Sequence, residues 1–139
     1  MSIFKDLNDI KEFFKRDSFA ISLGFQIIDA KPGYSKVSAH YNDNSLNGAG
    51  IVHGGFTFTL ADFAGAVATN AYGFTTLSID SSISYYNAPK CNNLVAVASE
   101  MQRSNRLSYI TVCIHDDCGT HIADFKGTYY ITKKEITIL

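Results

Sequence analysis

The chain of 139 residues is long enough for one domain with a full core, and residues 1–139 are read as a single unit. A formal net charge of −1 and a pI near 6.4 give no bulk electrostatic case for binding nucleic acid. Lys5, Asp6, Asp9, Lys11 and Glu12 break up any apolar leader, so no signal peptide is expected and the protein is placed in the cytoplasm.

Residues 2–16 predict an amphipathic helix. Ile3, Phe4, Leu7, Ile10, Phe13 and Phe14 keep to one face, and Ser2 is a suitable cap. Two strands follow, over 25–30 and 34–41, around the turn Lys31-Pro32-Gly33, where proline presets φ and glycine accepts a positive φ. Val37, Ala39 and Tyr41 alternate with Lys36, Ser38 and His40, as in a half-exposed strand. Residues 42–50, rich in Asn, Gly and Ser, are a loop running into a helix start.

The stretch 47–72 is the centre of the chain. Between residues 45 and 79 the single permanent charge is Asp62, and Gly, Ala, Thr, Phe, Leu and Val dominate the rest. Such a run predicts a buried central helix whose small residues let other backbone approach. Its Asp, Gly, Thr and Asn content argues against a membrane span. A lone carboxylate on a buried helix is expensive unless it is paired or used, and both readings stay open. His53-Gly54-Gly55 stands at the front of that helix, where the first N–H groups have no internal partner and the dipole is positive. The two glycines either permit close packing or leave bare N–H groups for a developing oxyanion. His53 and Asp62 lie nine residues apart, so they point to opposite sides of the helix and are separated by about 13 Å along its axis. One site that uses both ends therefore needs two subunits.

Strands are read over 75–86, 94–102, 108–115 and 120–132, the last two joined by the hairpin turn Asp116-Asp117-Cys118-Gly119. With the first pair they make a long antiparallel sheet, which must curl around the one apolar helix. The fold class is thus α+β. Cys91, Cys113 and Cys118 lack metal spacing. Cys113 and Cys118 flank a turn and are readable as a pair, but free thiols in a reducing cytosol are the expectation.

The motif Asn47-x5-His53-Gly54-Gly55-x6-Asp62, with Leu60-Ala61 before the acid, resembles the hotdog-fold acyl-CoA thioesterases of the phenylacetate-degradation (PaaI-like) type, over roughly residues 19–132. The resemblance implies hydrolysis of an acyl-CoA thioester in a homodimer that pairs into a tetramer, with no cofactor and no metal. It implies Asp62 as base or nucleophile, Gly54 and Gly55 N–H groups as oxyanion donors, and His53 as a positioning group. Asn47 and Ser78 would help to place water, and Asp80, two residues on from Ser78, is either a second acid on its face or a solvated charge. Lys90, Arg103 and Arg106 are candidates for the coenzyme phosphates, with solvated turn charges as the alternative. The segment 85–90 resembles the family's strand end near the nucleotide. Phe56, Phe58, Phe63, Tyr72 and Phe74 either line the acyl pocket or pack the core.

Two other readings share the fold. Hydratase chemistry needs a histidine five residues after the acid, where this chain has Val67, and dehydratase chemistry needs a His-led Phe-Pro-Gly loop that the chain lacks. A non-catalytic acyl-CoA-binding protein would need neither the carboxylate nor the HGG motif.

Overall fold

The apolar face at the N-terminus does form a helix, but a shorter one than its periodicity suggests. In the computed structural model, which describes residues 3–138, α1 spans Leu7–Phe14. Asp6, in an extended conformation, accepts the Asp9 N–H at 3.0 Å and so starts the helix well inside the expected 2–16. The expected Ser2 cap lies outside the described residues. A second short helix, α2 (Ser18–Ser22), is capped in the same way by Asp17. Ile10 and Phe14 bury the apolar face of α1 against the body, with Phe14 edge-on to Phe63 at 5.6 Å.

The strands β1 (Gln26–Lys31) and β2 (Tyr34–His40) form the first hairpin. Gly33 sits at φ +80° in its turn, as the Pro-Gly pair requires. A 3-10 turn at Asp43–Ser45 leads through a loop into α3 (Gly54–Asn70). Four strands complete the chain: β3 (Phe74–Tyr85), β4 (Asn93–Arg103), β5 (Leu107–Asp116) and β6 (His121–Glu135). Among the described residues they form one antiparallel sheet in the order β1-β2-β4-β5-β6-β3.

The sheet wraps α3, which packs against all six strands, and this is the hotdog arrangement. Leu60, Ala61, Ala64, Val67 and Ala68 are completely buried on that helix. Their small volume brings strand side chains up to the helix backbone: Ser35 Oγ donates to the Ala64 carbonyl at 2.6 Å. β3 closes the sheet at one edge, and beyond β6 it has no strand partner among the described residues. Leu77 and Ile79 on that edge are 57% and 59% exposed.

The expectation of free thiols holds for Cys113 alone. Cys91 and Cys118 are joined by a disulfide with Cα atoms 5.9 Å apart, and Cys113 is unpaired and exposed. The pairing of Cys113 with Cys118 across the turn does not occur, because Cys113 points out of the sheet while the turn leans toward residue 91. Asp116 bridges the two segments. Its carboxylate accepts N–H bonds from Lys90 (2.7 Å), Cys91 (3.1 Å), Cys118 (3.0 Å) and Thr120 (2.8 Å), and so gathers both cysteine-bearing segments. No helix among the described residues is long and apolar enough to cross a membrane.

Candidate active site

The loop before α3 is shaped by its own polar side chains. Asn47 Oδ1 accepts the N–H groups of Ala49 (2.9 Å) and Ile51 (3.1 Å), and Leu46 bridges to Val52. The His53 N–H donates to the Ser45 carbonyl at 2.7 Å, which delivers His53 to the cap position of α3. There His53 Nδ1 accepts the Gly55 N–H at 2.8 Å. Gly55 is therefore not the bare donor its sequence position suggests. The Gly54 N–H has no acceptor among the described residues, and it lies at the positive end of α3.

Gly54 is pressed from one side by Tyr85. The Tyr85 hydroxyl donates to the Gly54 carbonyl at 2.8 Å, and a Cβ at Gly54 would come within 3.1 Å of the same ring. A cleft of about 320 Å³ opens here, walled by Asn47, Gly54, Thr57, Tyr85, Tyr86 and Pro89 among others. The Asn47 carboxamide oxygen is taken up in the loop, which leaves its NH2 group as the donor on this side.

Asp62 does not line that cleft. It sits half-buried two turns further along α3, where Tyr129 of β6 meets it. The Tyr129 hydroxyl donates to Asp62 Oδ1 at 3.0 Å and lies 3.1 Å from the Asp62 carbonyl. Burial pushes the Asp62 carboxyl above its ordinary value, the Tyr129 hydroxyl pulls it back, and the Asp17 charge adds a further upward push. Two glycines make room for that tyrosine. A Cβ at Gly65 would overlap the Tyr129 hydroxyl, and one at Gly127 would come within 2.9 Å of its ring.

Tyr129 was not among the residues singled out from the sequence. A signal for it exists: it falls on the inward positions of β6 with Phe125 and Ile131, and a buried tyrosine hydroxyl needs an acceptor. Ser78 pairs with Tyr129 across β3 and β6 and so shares its face. Asp80 does not. The β3 register shifts between Ser78 and Asp80, so Ile79 is a bulge and Asp80 pairs with Thr128 on the other face. Ser78 Oγ instead neighbours Ser81 Oγ at 3.2 Å.

The three cations do not converge. Lys90 stands exposed beside the β5–β6 turn. Arg103 is committed internally: it pairs with Glu100 at 3.0 Å and stacks over the Tyr72 ring at 3.7 Å. Arg103 and Arg106 share a cavity of about 550 Å³ with Phe74 and Lys133. The aromatic residues divide. Phe56 and Phe63 pack against Phe25 in the core, Phe58 meets Phe125, and Tyr72 donates to Glu100 at 2.7 Å.

Known proteins share this fold. The PaaI protein of the Escherichia coli phenylacetic acid degradation operon superposes with a TM-score of 0.88 at 25% identity, over 94% of this chain and 95% of its own. A hypothetical thioesterase of Streptococcus pneumoniae, solved with coenzyme A, superposes with a TM-score of 0.82 at 25% identity, over 88% of this chain and 99% of its own. A provisionally named esterase of Archaeoglobus fulgidus is 35% identical over 123 residues, 87% of this chain and 80% of that protein. The model of the thioesterase superfamily matches residues 49–123, the span that holds the helix start, Asp62 and the strand that carries Ser78. By sequence and by fold together, this chain belongs to the thioesterase superfamily.

Proposed function

We propose that the protein hydrolyses acyl-CoA thioesters, with Asp62 of one subunit and the Gly54 N–H of the other serving one site. A single pairing carries this reading. A desolvated carboxylate, held by Tyr129, stands on the same helix whose first N–H is unpaired and opens onto a cleft. Neither end is a complete hydrolytic site by itself.

The edge strand supplies the means to combine them. β3 runs from Ser78, beside Tyr129 and Asp62, to Tyr85, against Gly54. A long edge strand with exposed apolar side chains is a template for pairing with its own copy. Antiparallel pairing about a two-fold near the middle of β3 sets the Asp62 end of one subunit beside the Gly54 end of its partner. The likeness to a structure solved with coenzyme A supports the ligand class. Pairing of such dimers into a tetramer, and a cytoplasmic setting, belong to the same proposal.

In the reaction, Asp62 takes a proton from water as the water oxygen attacks the acyl carbon. The carbonyl oxygen gains negative charge and is held by the Gly54 N–H, a donor typically worth about 3 kcal/mol of barrier. Collapse breaks the carbon–sulfur bond, and the proton passes to the departing CoA thiolate. His53 keeps the helix start in shape, Asn47 offers its NH2 group to water, and Ser78 stands on the face of Tyr129. Arg106 and Lys90 have side chains free to meet the coenzyme phosphates. If Asp62 acts instead as nucleophile through an anhydride, a single turnover in oxygen-18 water leaves the label in its carboxylate.

The test is thiol release from a panel of acyl-CoAs, read with a thiol-reactive dye. Wild type is expected to turn over at least one, and Asp62→Asn to lose nearly all activity while remaining folded and dimeric. Binding of acyl-CoA without turnover by the wild type would overturn this reading in favour of a non-catalytic binding protein.

A further inference from the structure

On the outer face of the sheet, away from α3 and Asp62, three donors of different chemistry meet. Cys113 of β5 stands directly across from Asp124 of β6. His121 Nε2 lies 2.8 Å from Asp124 Oδ1. The Cys113 sulfur, a His121 ring nitrogen and an Asp124 oxygen all lie within 4.8 Å of one another. All three side chains are exposed, so an ion reaches them from solvent. Tyr86 completes the surround. Its hydroxyl donates to the other Asp124 oxygen at 3.1 Å, and its ring packs on the His121 ring with centroids 5.0 Å apart.

We propose that Cys113, His121 and Asp124 bind a thiophilic divalent cation, with zinc the best fit and Tyr86 as the residue that orients the carboxylate. One sulfur, one imidazole and one carboxylate form a donor set suited to zinc, not to the all-oxygen preference of magnesium or calcium. Zinc bonds of roughly 2.0–2.3 Å set tetrahedral neighbours about 3.5 Å apart. With all three donors within 4.8 Å of one another, side-chain adjustments of about 1 Å reach that separation, and His121 and Asp124 exchange their direct hydrogen bond for two bonds to the ion. Water takes the fourth position.

The other cysteine-bearing cluster, Cys91 with Asp116 and Cys118, does not compete for this role. Its thiols are joined to each other, and both Asp116 oxygens are occupied by backbone N–H groups. Tyr86 also walls the cleft at Gly54, so the proposed ion sits one side chain away from it.

The test uses the full chain, stripped of metal with EDTA and titrated with Co2+, then with competing Zn2+. One equivalent of Co2+ is expected to raise a sulfur-to-cobalt charge-transfer band in the near ultraviolet, which Zn2+ then displaces. Cys113→Ser should abolish the band. His121→Ala and Asp124→Asn should weaken Zn2+ binding on the order of 100-fold, and Tyr86→Phe roughly 10-fold. Because these side chains are exposed, each variant should keep the circular dichroism of the metal-free parent. His121→Ala reads the site independently of the thiol. No band in the wild type would overturn the proposal. So would a band that survives Cys113→Ser and disappears in Cys118→Ser.

Discussion

Gly65 occupies a position on α3 where any side chain would strike Tyr129. A Cβ there overlaps the hydroxyl and comes within 2.9 Å of the ring carbon that bears it. In an unobstructed helix, glycine to alanine stabilises by about 1 kcal/mol. Here an overpacked methyl costs about 1–3 kcal/mol. Displacing Tyr129 also strips the hydroxyl from Asp62, and a buried polar group left unpaired costs another ~1–3 kcal/mol. The balance for Gly65→Ala is a net loss of about 1–5 kcal/mol, centred near 3. In a Tyr129→Phe background the overlapping oxygen is gone, and the same alanine should cost about 1 kcal/mol or less. Urea denaturation of the four proteins measures the coupling, expected near 2 kcal/mol. Additivity to within about 0.5 kcal/mol would refute the reasoning. A Gly65→Ala protein more stable than wild type would refute it as well. Either single change removes the donor that pulls the Asp62 carboxyl down, so the acid limb of thiol release should move to higher pH.

Asp62→Asn should raise stability at neutral pH. The folded carboxyl ionises above the ordinary value of 3.8, so its contribution is full below that value and is lost as pH rises through the folded one. The advantage of the asparagine variant, measured by thermal melts, should therefore vanish in acid. Asp116 behaves in the opposite sense. Burial opposes its ionisation, but N–H bonds from Lys90, Thr120 and Cys91 outweigh that and hold it at about 2. Its contribution is present above the ordinary carboxylate range and lost as pH falls through about 2. Asp116→Ala, which orphans four N–H groups, should cost at least ~3 kcal/mol in urea denaturation at neutral pH. Reduction of the Cys91–Cys118 bridge, which spans 27 residues, should cost roughly 3–4 kcal/mol on the chain-entropy account. Denaturation with and without reductant reads this, and equal midpoints would show that the bridge does not form in solution.

Much of the fold was written locally. The apolar run from 47 to 72 is long and rich in small residues, so it had to be the central helix. The Pro32-Gly33 and Cys118-Gly119 turns marked two hairpins because glycine is needed where φ is positive. Strand ends came within a few residues because alternation continues until turn residues interrupt it. The N-terminal helix was drawn too long because periodicity carries no information on which of two suitable caps is used. Asp6 starts the helix that the structure describes.

The candidate site was legible only in part, and the division follows contact distance along the chain. His53, Gly54 and Asp62 lie within ten residues, and their placement at the cap, the start and the middle of α3 follows from helix geometry. The sequence alone determined that one carboxylate and one glycine-rich helix start would share a buried helix, since no other charge falls in that run. Tertiary structure decided the rest. It brought Tyr129 to Asp62 across 67 positions, and it assigned the Gly55 N–H to His53. It also turned Asp80 away from Ser78 through a bulge that exists only against β6, and it joined Cys91 to Cys118 through the carboxylate of Asp116. Each of these depends on which strands become neighbours, and long-range pairing is set by burial of the whole sheet face, not by any short window of residues.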